Sequence, residues 1–262
     1  YFSVAVYGGM AIGPLAGEVL QRATNFQIAF LAGGAALVLA ALFGALLPAD
    51  RPHPPVAGLA AGSSGPRFIH RDAVVPGLIL MGGLVTFTAL NGFMPLYVEE
   101  LELGSAGSVL LVYGLFVLLM RLAGSKLPDL FGTLRMSTVA LVGQAAGMTV
   151  MGLWASQVGL YTGAIVLAVG GSFLYPTLLT AAVHGVPGNE RARATSTFTL
   201  AFELSSGLGG PLLGVAAAVA GTRAAFFGSA LAAVAVLPLL FAWAARRPQA
   251  LVPPRISSRA AA

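Results

Sequence analysis

The residue most able to do chemistry is Glu203, because it is an acid inside a stretch apolar enough to cross a membrane. The stretch reads STFTLAFELSSGLGGPLLG from Ser196 to Gly214. Ser196, Thr199, Glu203, Ser206, Gly210 and Gly214 follow one another at steps of three and four, so they share one helical face. Glu203 lies about 13 Å into its span at 1.5 Å per residue, near the middle of a roughly 30 Å hydrocarbon core. An acid at that depth costs about 2.5–3.5 kcal/mol on insertion scales, so such groups face cavities and work there. The chemistry on offer is uptake and release of a proton, or contact with a cationic or hydroxylated solute. The plainer alternative is a structural acid hydrogen-bonded to a neighbouring helix.

Other polar and aromatic side chains stand within apolar stretches: Asn91, Tyr113, Gln144, Ser172, Tyr175 and Thr199. They are candidate walls of a substrate cavity. Phe87, Phe198 and Phe202 read instead as packing. No phosphate-binding glycine loop, catalytic triad or metal-ligand spacing is present. No enzyme activity, cofactor or metal is expected. The three His (His53, His70, His184) fall in loops, and there is no Cys.

The elements that must position these groups follow from composition. Hydrophobic residues make up 57% and charged residues 9%, against about 25% charged in soluble domains. Mean hydropathy is +0.88. The chain therefore reads as an all-α polytopic membrane helix bundle. Eight apolar segments of spanning length are expected, at roughly 1–19, 26–48, 73–97, 106–124, 136–155, 159–183, 194–219 and 223–245. A Pro-, Gly- and Ser-rich linker at 49–72 separates two spans (1–48) from six (73–245), and a tail follows at 246–262. Placing linker and tail on one side collects twelve of the 14 Lys and Arg residues there, leaving Arg22 and Arg223 opposite. The positive-inside rule makes the twelve-residue side cytoplasmic. The net charge of +5 is then a topology signal, not a nucleic-acid surface.

An internal repeat ties the ends together. Gly13-Pro14-Leu15-Ala16-Gly17 returns as Gly210-Pro211-Leu212-Leu213-Gly214 at an offset of 197 residues, and Ala29-Phe30 returns as Ala225-Phe226 at 196. The scaffold repeats; the acid does not, since Val6 stands where the second copy has Glu203. Two spans matching two others six spans later imply twelve spans in the intact protein, four of them before Tyr1. Parallel six-span halves are a transporter architecture. Gly9, Gly13 and Gly17, four residues apart, are expected to admit a close neighbouring helix, and Pro14 and Pro211 to bend their helices.

Gly9 to Gly17 resembles the Gly-rich fifth-span motif of the major facilitator superfamily, with Glu18 where that pattern often has a further glycine. The run Ser125 to Arg135 resembles the family's short cytoplasmic motif. It matches at Leu127, Asp129 and Gly132 and departs at Ser125, Leu130 and Thr133. Asn189 to Ala194, Phe202-Glu203-Leu204 and Gly209-Gly210-Pro211 look like the tenth loop and eleventh span of sugar- and drug-efflux members, as does Gly171 to Thr177. The resemblance implies spans five to twelve of a proton-coupled exporter of small organic solutes in the cell (inner or plasma) membrane, monomeric when full length. It implies a gating role for Arg121 and Asp129, and glycine packing that seals a proton leak. It favours Asn91 and Tyr175 as cavity residues, because the family builds its cavity from the corresponding spans. Uptake of a sugar or carboxylate, or a transport-dead receptor or scaffold, remain the alternatives.

Overall fold

The structure, a computed structural model, describes residues 2–46, 69–124 and 127–246. Among these residues there are ten helices and no strand. They are α1 (Phe2–Ala23), α2 (Phe26–Ala45), α3 (Arg71–Glu100), α4 (Ala106–Ala123), α5 (Leu127–Leu153), α6 (Gln157–Gly171), α7 (Leu174–Val183), α8 (Arg191–Ala220), α9 (Arg223–Ala235) and α10 (Leu237–Arg246). The linker and tail expected from the sequence lie outside the described residues, apart from 69–72 and Arg246.

The eight expected segments are all helical. Two of them are interrupted: the sixth at Ser172–Phe173, giving α6 and α7, and the eighth at Val236, giving α9 and α10. Seven spans among the described residues are long and apolar enough to cross a membrane. The remaining helix, α1, has 22 residues, about 33 Å at 1.5 Å per residue, and carries Glu18 and Arg22 near its end.

The fifth segment starts earlier than its hydropathy shows. The residues read as a loop motif are helical from Leu127, with a break at Gly132, where φ is 74° and ψ 162°. That backbone region is open essentially to glycine alone. The motif glycine therefore lets a short helix join a long one at an angle. Nothing is described of the Asp129 side chain.

Helices α3 to α10 form one packed body. Its core holds Ile79, Leu80, Met94, Tyr97, Leu141, Met148, Met151, Phe198 and Phe226, all fully covered. Glycine makes a close crossing: a Cβ on Gly143 would stand 2.8 Å from Gly170 Cα, so α5 and α6 meet backbone to backbone. Such small-residue contacts replace the hydrophobic drive that is missing in lipid. Tyr97 ties three helices. Its hydroxyl donates to the Met151 carbonyl of α5 at 3.2 Å, and its ring lies 4.8 Å from Phe226 of α9.

On the other flank, α1 packs along α4. The close approach there is made by glycines of α4, Gly107 and Gly114, against Pro14, Leu15 and Ala11. Gly9, Gly13 and Gly17 of α1, expected to admit a neighbour, have no atom of another residue within 4 Å of a built Cβ. They point away from α4, because α1 presents its Ala11–Leu15–Glu18 side to the seam. Helix α2 has no buried residue.

Candidate functional site

The long face of α8 splits into two roles. Ala194, Thr197, Phe198, Ala201, Ser205, Gly209 and Leu213 are buried. The Ser205 hydroxyl donates to the Met81 carbonyl of α3 at 3.1 Å, and Thr197 Oγ1 accepts from the His70 N–H at 2.9 Å. The neighbouring stripe, with Thr199 and Glu203, turns into a cavity.

That cavity measures about 330 Å3 and is bounded by α1, α3, α4, α6–α7 and α8. It brings together five sequence-predicted residues: Tyr113, Ser172, Tyr175, Thr199 and Glu203. Arg121, expected at a gate, lines the same wall. The break between α6 and α7 positions two of these groups. Ser172 caps α6, its hydroxyl donating to the Ala168 carbonyl, and Tyr175 follows on the first turn of α7. The Tyr175 ring is braced edge-on by Phe198 at 5.4 Å and Phe202 at 6.4 Å.

Asn91 lines a neighbouring space of about 240 Å3 with Tyr113, Phe87 and Pro14. Its amide donates to the Phe87 carbonyl at 2.9 Å. Gln144 does not line either space. Its Oε1 accepts from the Thr86 hydroxyl at 2.9 Å, and its amide lies 3.2 Å from a Cβ built on Gly171, one layer behind the cavity wall. The packing of Gln144 thus joins α5 to α3 within the bundle.

Phe87 and Phe202 are corrections to the expectation that they only pack, since both line the cavity. The signal was present: Phe87 precedes Asn91 by four residues and Phe202 follows Thr199 by three, so each shares a helical face with a polar candidate. Met10, Leu84 and Val117 complete the wall and carry no mark that separates them from packing residues. A Cβ built on Gly210 would stand 3.9 Å from Thr88 Cγ2 of α3, whereas one on Gly214 would meet nothing within 4 Å. Among the described residues no group of three or more His, Asp or Glu is placed to hold a metal ion.

The cavity side chains combine one carboxylate, one guanidinium, hydroxyls and aromatic rings. Such a set can bind an amphipathic solute. Spanning helices around a largely apolar cavity with a few polar side chains define a multi-pass membrane protein. Residues 1–129 and 78–261 each match the sequence profile of the Major Facilitator Superfamily, and the chain belongs to that family.

An MFS-type transporter of Salmonella typhimurium is 26% identical over 244 residues, covering 90% of this chain and 60% of its own length. One of Burkholderia mallei is 29% identical over 238 residues, covering 90% and 56%. The chain thus spans about 60% or less of the length of these curated relatives. The crystal structure of the peptide transporter POT in complex with sulfate superposes with a TM-score of 0.61 at 16% identity, over 70% of this chain and 40% of that one. At that identity the likeness is one of fold.

Proposed function

We propose that the chain forms the cavity-lining part of a secondary transporter that exports small organic solutes in exchange for protons. Residues 73–245 supply one six-span half and residues 1–48 two spans of the other. The linker 49–72 and tail 246–262 are cytoplasmic, and the protein works as a monomer in the cell membrane. The two halves rock about the cavity and expose it to one side at a time.

The observation that carries this reading is the company Glu203 keeps. The acid of α8 shares one cavity with Tyr113, Ser172, Tyr175 and Thr199. A proton on Glu203 removes the negative charge from the wall that faces the solute, so proton and solute compete for one space. Glu203→Gln keeps the size and mimics the protonated form. In the full-length protein this variant is expected to abolish proton-driven movement while solute exchange without a gradient persists. Normal proton-driven transport with unchanged pH dependence would place coupling elsewhere and end this reading.

Arg121 on the same wall favours a second reading of the substrate. A guanidinium near the cavity suits a solute with an anionic group, a carboxylate or a zwitterion. Competition of a labelled solute by carboxylates, lost in Arg121→Gln and kept in Glu203→Gln, separates this reading from a purely cationic substrate.

A further inference from the structure

The seam between α1 and α4 is fastened by a charge. Along most of its length the two helices touch through backbone. A Cβ on Gly114 would stand 2.5 Å from Ala11 Cα, and one on Gly107 2.8 Å from Leu15 Cα. One turn beyond Leu15, Glu18 reaches across. Its Oε2 accepts from the Ser105 hydroxyl at 2.8 Å and from the Gly107 N–H. Its Oε1 pairs with Arg22 Nη2 at 2.6 Å, and Arg22 Nη2 donates to the Gly104 carbonyl at 3.1 Å.

These contacts make Glu18 a cap supplied from another helix. The first turn of α4 leaves N–H groups without partners inside the helix, and its dipole favours a negative charge there. Ser105 is the N-cap of α4 itself, its hydroxyl accepting from Ser108 N–H at 3.1 Å. Withdrawal of Glu18 leaves that cap in place, so α4 remains a helix in either state. The Arg22 side chain is 63% exposed and that of Glu18 17%, so the arginine rehydrates readily while the carboxylate depends on the seam.

The clasp stands on a route. The Glu203 cavity shares Met10, Phe87, Tyr113 and Val117 with the space beside Asn91. That space shares Pro14 and Leu110 with a third, of about 730 Å3, whose wall includes Glu18, Arg22, Glu99 and Glu102. The three lie in series along α1, α3 and α4. The third is at the end opposite Arg71, which the Lys and Arg distribution assigns to the outside.

We propose that Glu18 is the outer-gate residue of this protein. It holds α1 against the N-terminus of α4 while the cavity is shut towards the outside, and it must release for the cavity to open there. This rests on the transport reading above, yet its test needs no transport. The chain has no native Cys. Leu110, buried on α4 where the second and third spaces meet, is replaced by Cys in the full-length protein in intact cells. Its labelling by an impermeant maleimide from outside reads the seam.

With Glu18→Ala the labelling rate is expected to rise about tenfold or more. A smaller, few-fold rise is expected with Glu18→Gln, which keeps an acceptor, and with Arg22→Ala. A Cys at Ala164, fully buried in α6, should stay unlabelled in each background. An unchanged Leu110→Cys rate in Glu18→Ala, or an equal rise at Ala164→Cys, overturns the proposal. The exchanged pair Glu18→Arg with Arg22→Glu keeps an ion pair but puts a cation at the N-terminus of α4, and it should leave the seam open. Restored closure would show that the ion pair alone suffices and overturn the capping role. Normal transport by Glu203→Gln would remove the coupling reading and leave these labelling results standing.

Discussion

The repeat gives the same phrases to two helix pairs, and the molecule treats them differently. In α8–α9 the Ala-Phe phrase is core. Phe226 is 0% exposed and packs at a tilt against Tyr97, and Ser205 bonds across to α3. In α1–α2 the phrase is surface. Phe30, the partner of Phe226 in the repeat, is 77% exposed, and Gly8 stands where α8 has Ser205. Sequence likeness therefore transmits the shape of a helix, its glycines and its proline. Neighbours decide what each position is worth. The α8–α9 pair has α3 and α5 to lie on, whereas α1 leans on α4 and α2 on α1.

Three pairs of substitutions would sharpen or break that contrast. Phe226→Ala should show the largest effect, a loss of about 3–5 kcal/mol for a buried aromatic. Phe30→Ala should stay within about 0.5 kcal/mol in the 262-residue chain, whose described residues leave Phe30 uncovered. Thermal or denaturant unfolding in detergent reads both, and equal losses would mean that the two pairs are equally covered. Gly114→Leu comes next. Its side chain meets the backbone of α1, for an expected cost of about 1–3 kcal/mol from overpacking. Gly13→Leu, pointing into open space, should leave the melting temperature unmoved. The smallest effect is expected from Ser205→Ala, about 1 kcal/mol for one buried hydrogen bond. Ser206→Ala on the exposed side serves as its control.

The helical class, the spans and most of the cavity polar groups were legible in the sequence, because hydropathy and 3.6-residue spacing report one helix at a time. Tyr113, Ser172, Tyr175, Thr199 and Glu203 were each visible as a polar or aromatic residue in an apolar run. That they converge was not visible, since convergence depends on how four helices cross. Gln144 shows the limit: the same signal marks a group that faces Thr86 behind the wall. The glycine face of α1 meets no neighbour among the described residues. Spacing identified a smooth face, but the seam uses the smooth face of α4. Glu18 stood out only as a departure from a pattern, and its role needed the N-terminus of α4, which is distant in sequence.

The α1–α4 seam has a mechanical consequence. Two helices normally interlock as ridges in grooves, which fixes a crossing angle and resists sliding. At Gly107 and Gly114 the facing surface of α4 has no side chain to climb over, so α1 rides on peptide backbone. At these two crossings the seam offers no ridge to fix the angle of α1, and Leu110 between them lines the spaces beside it.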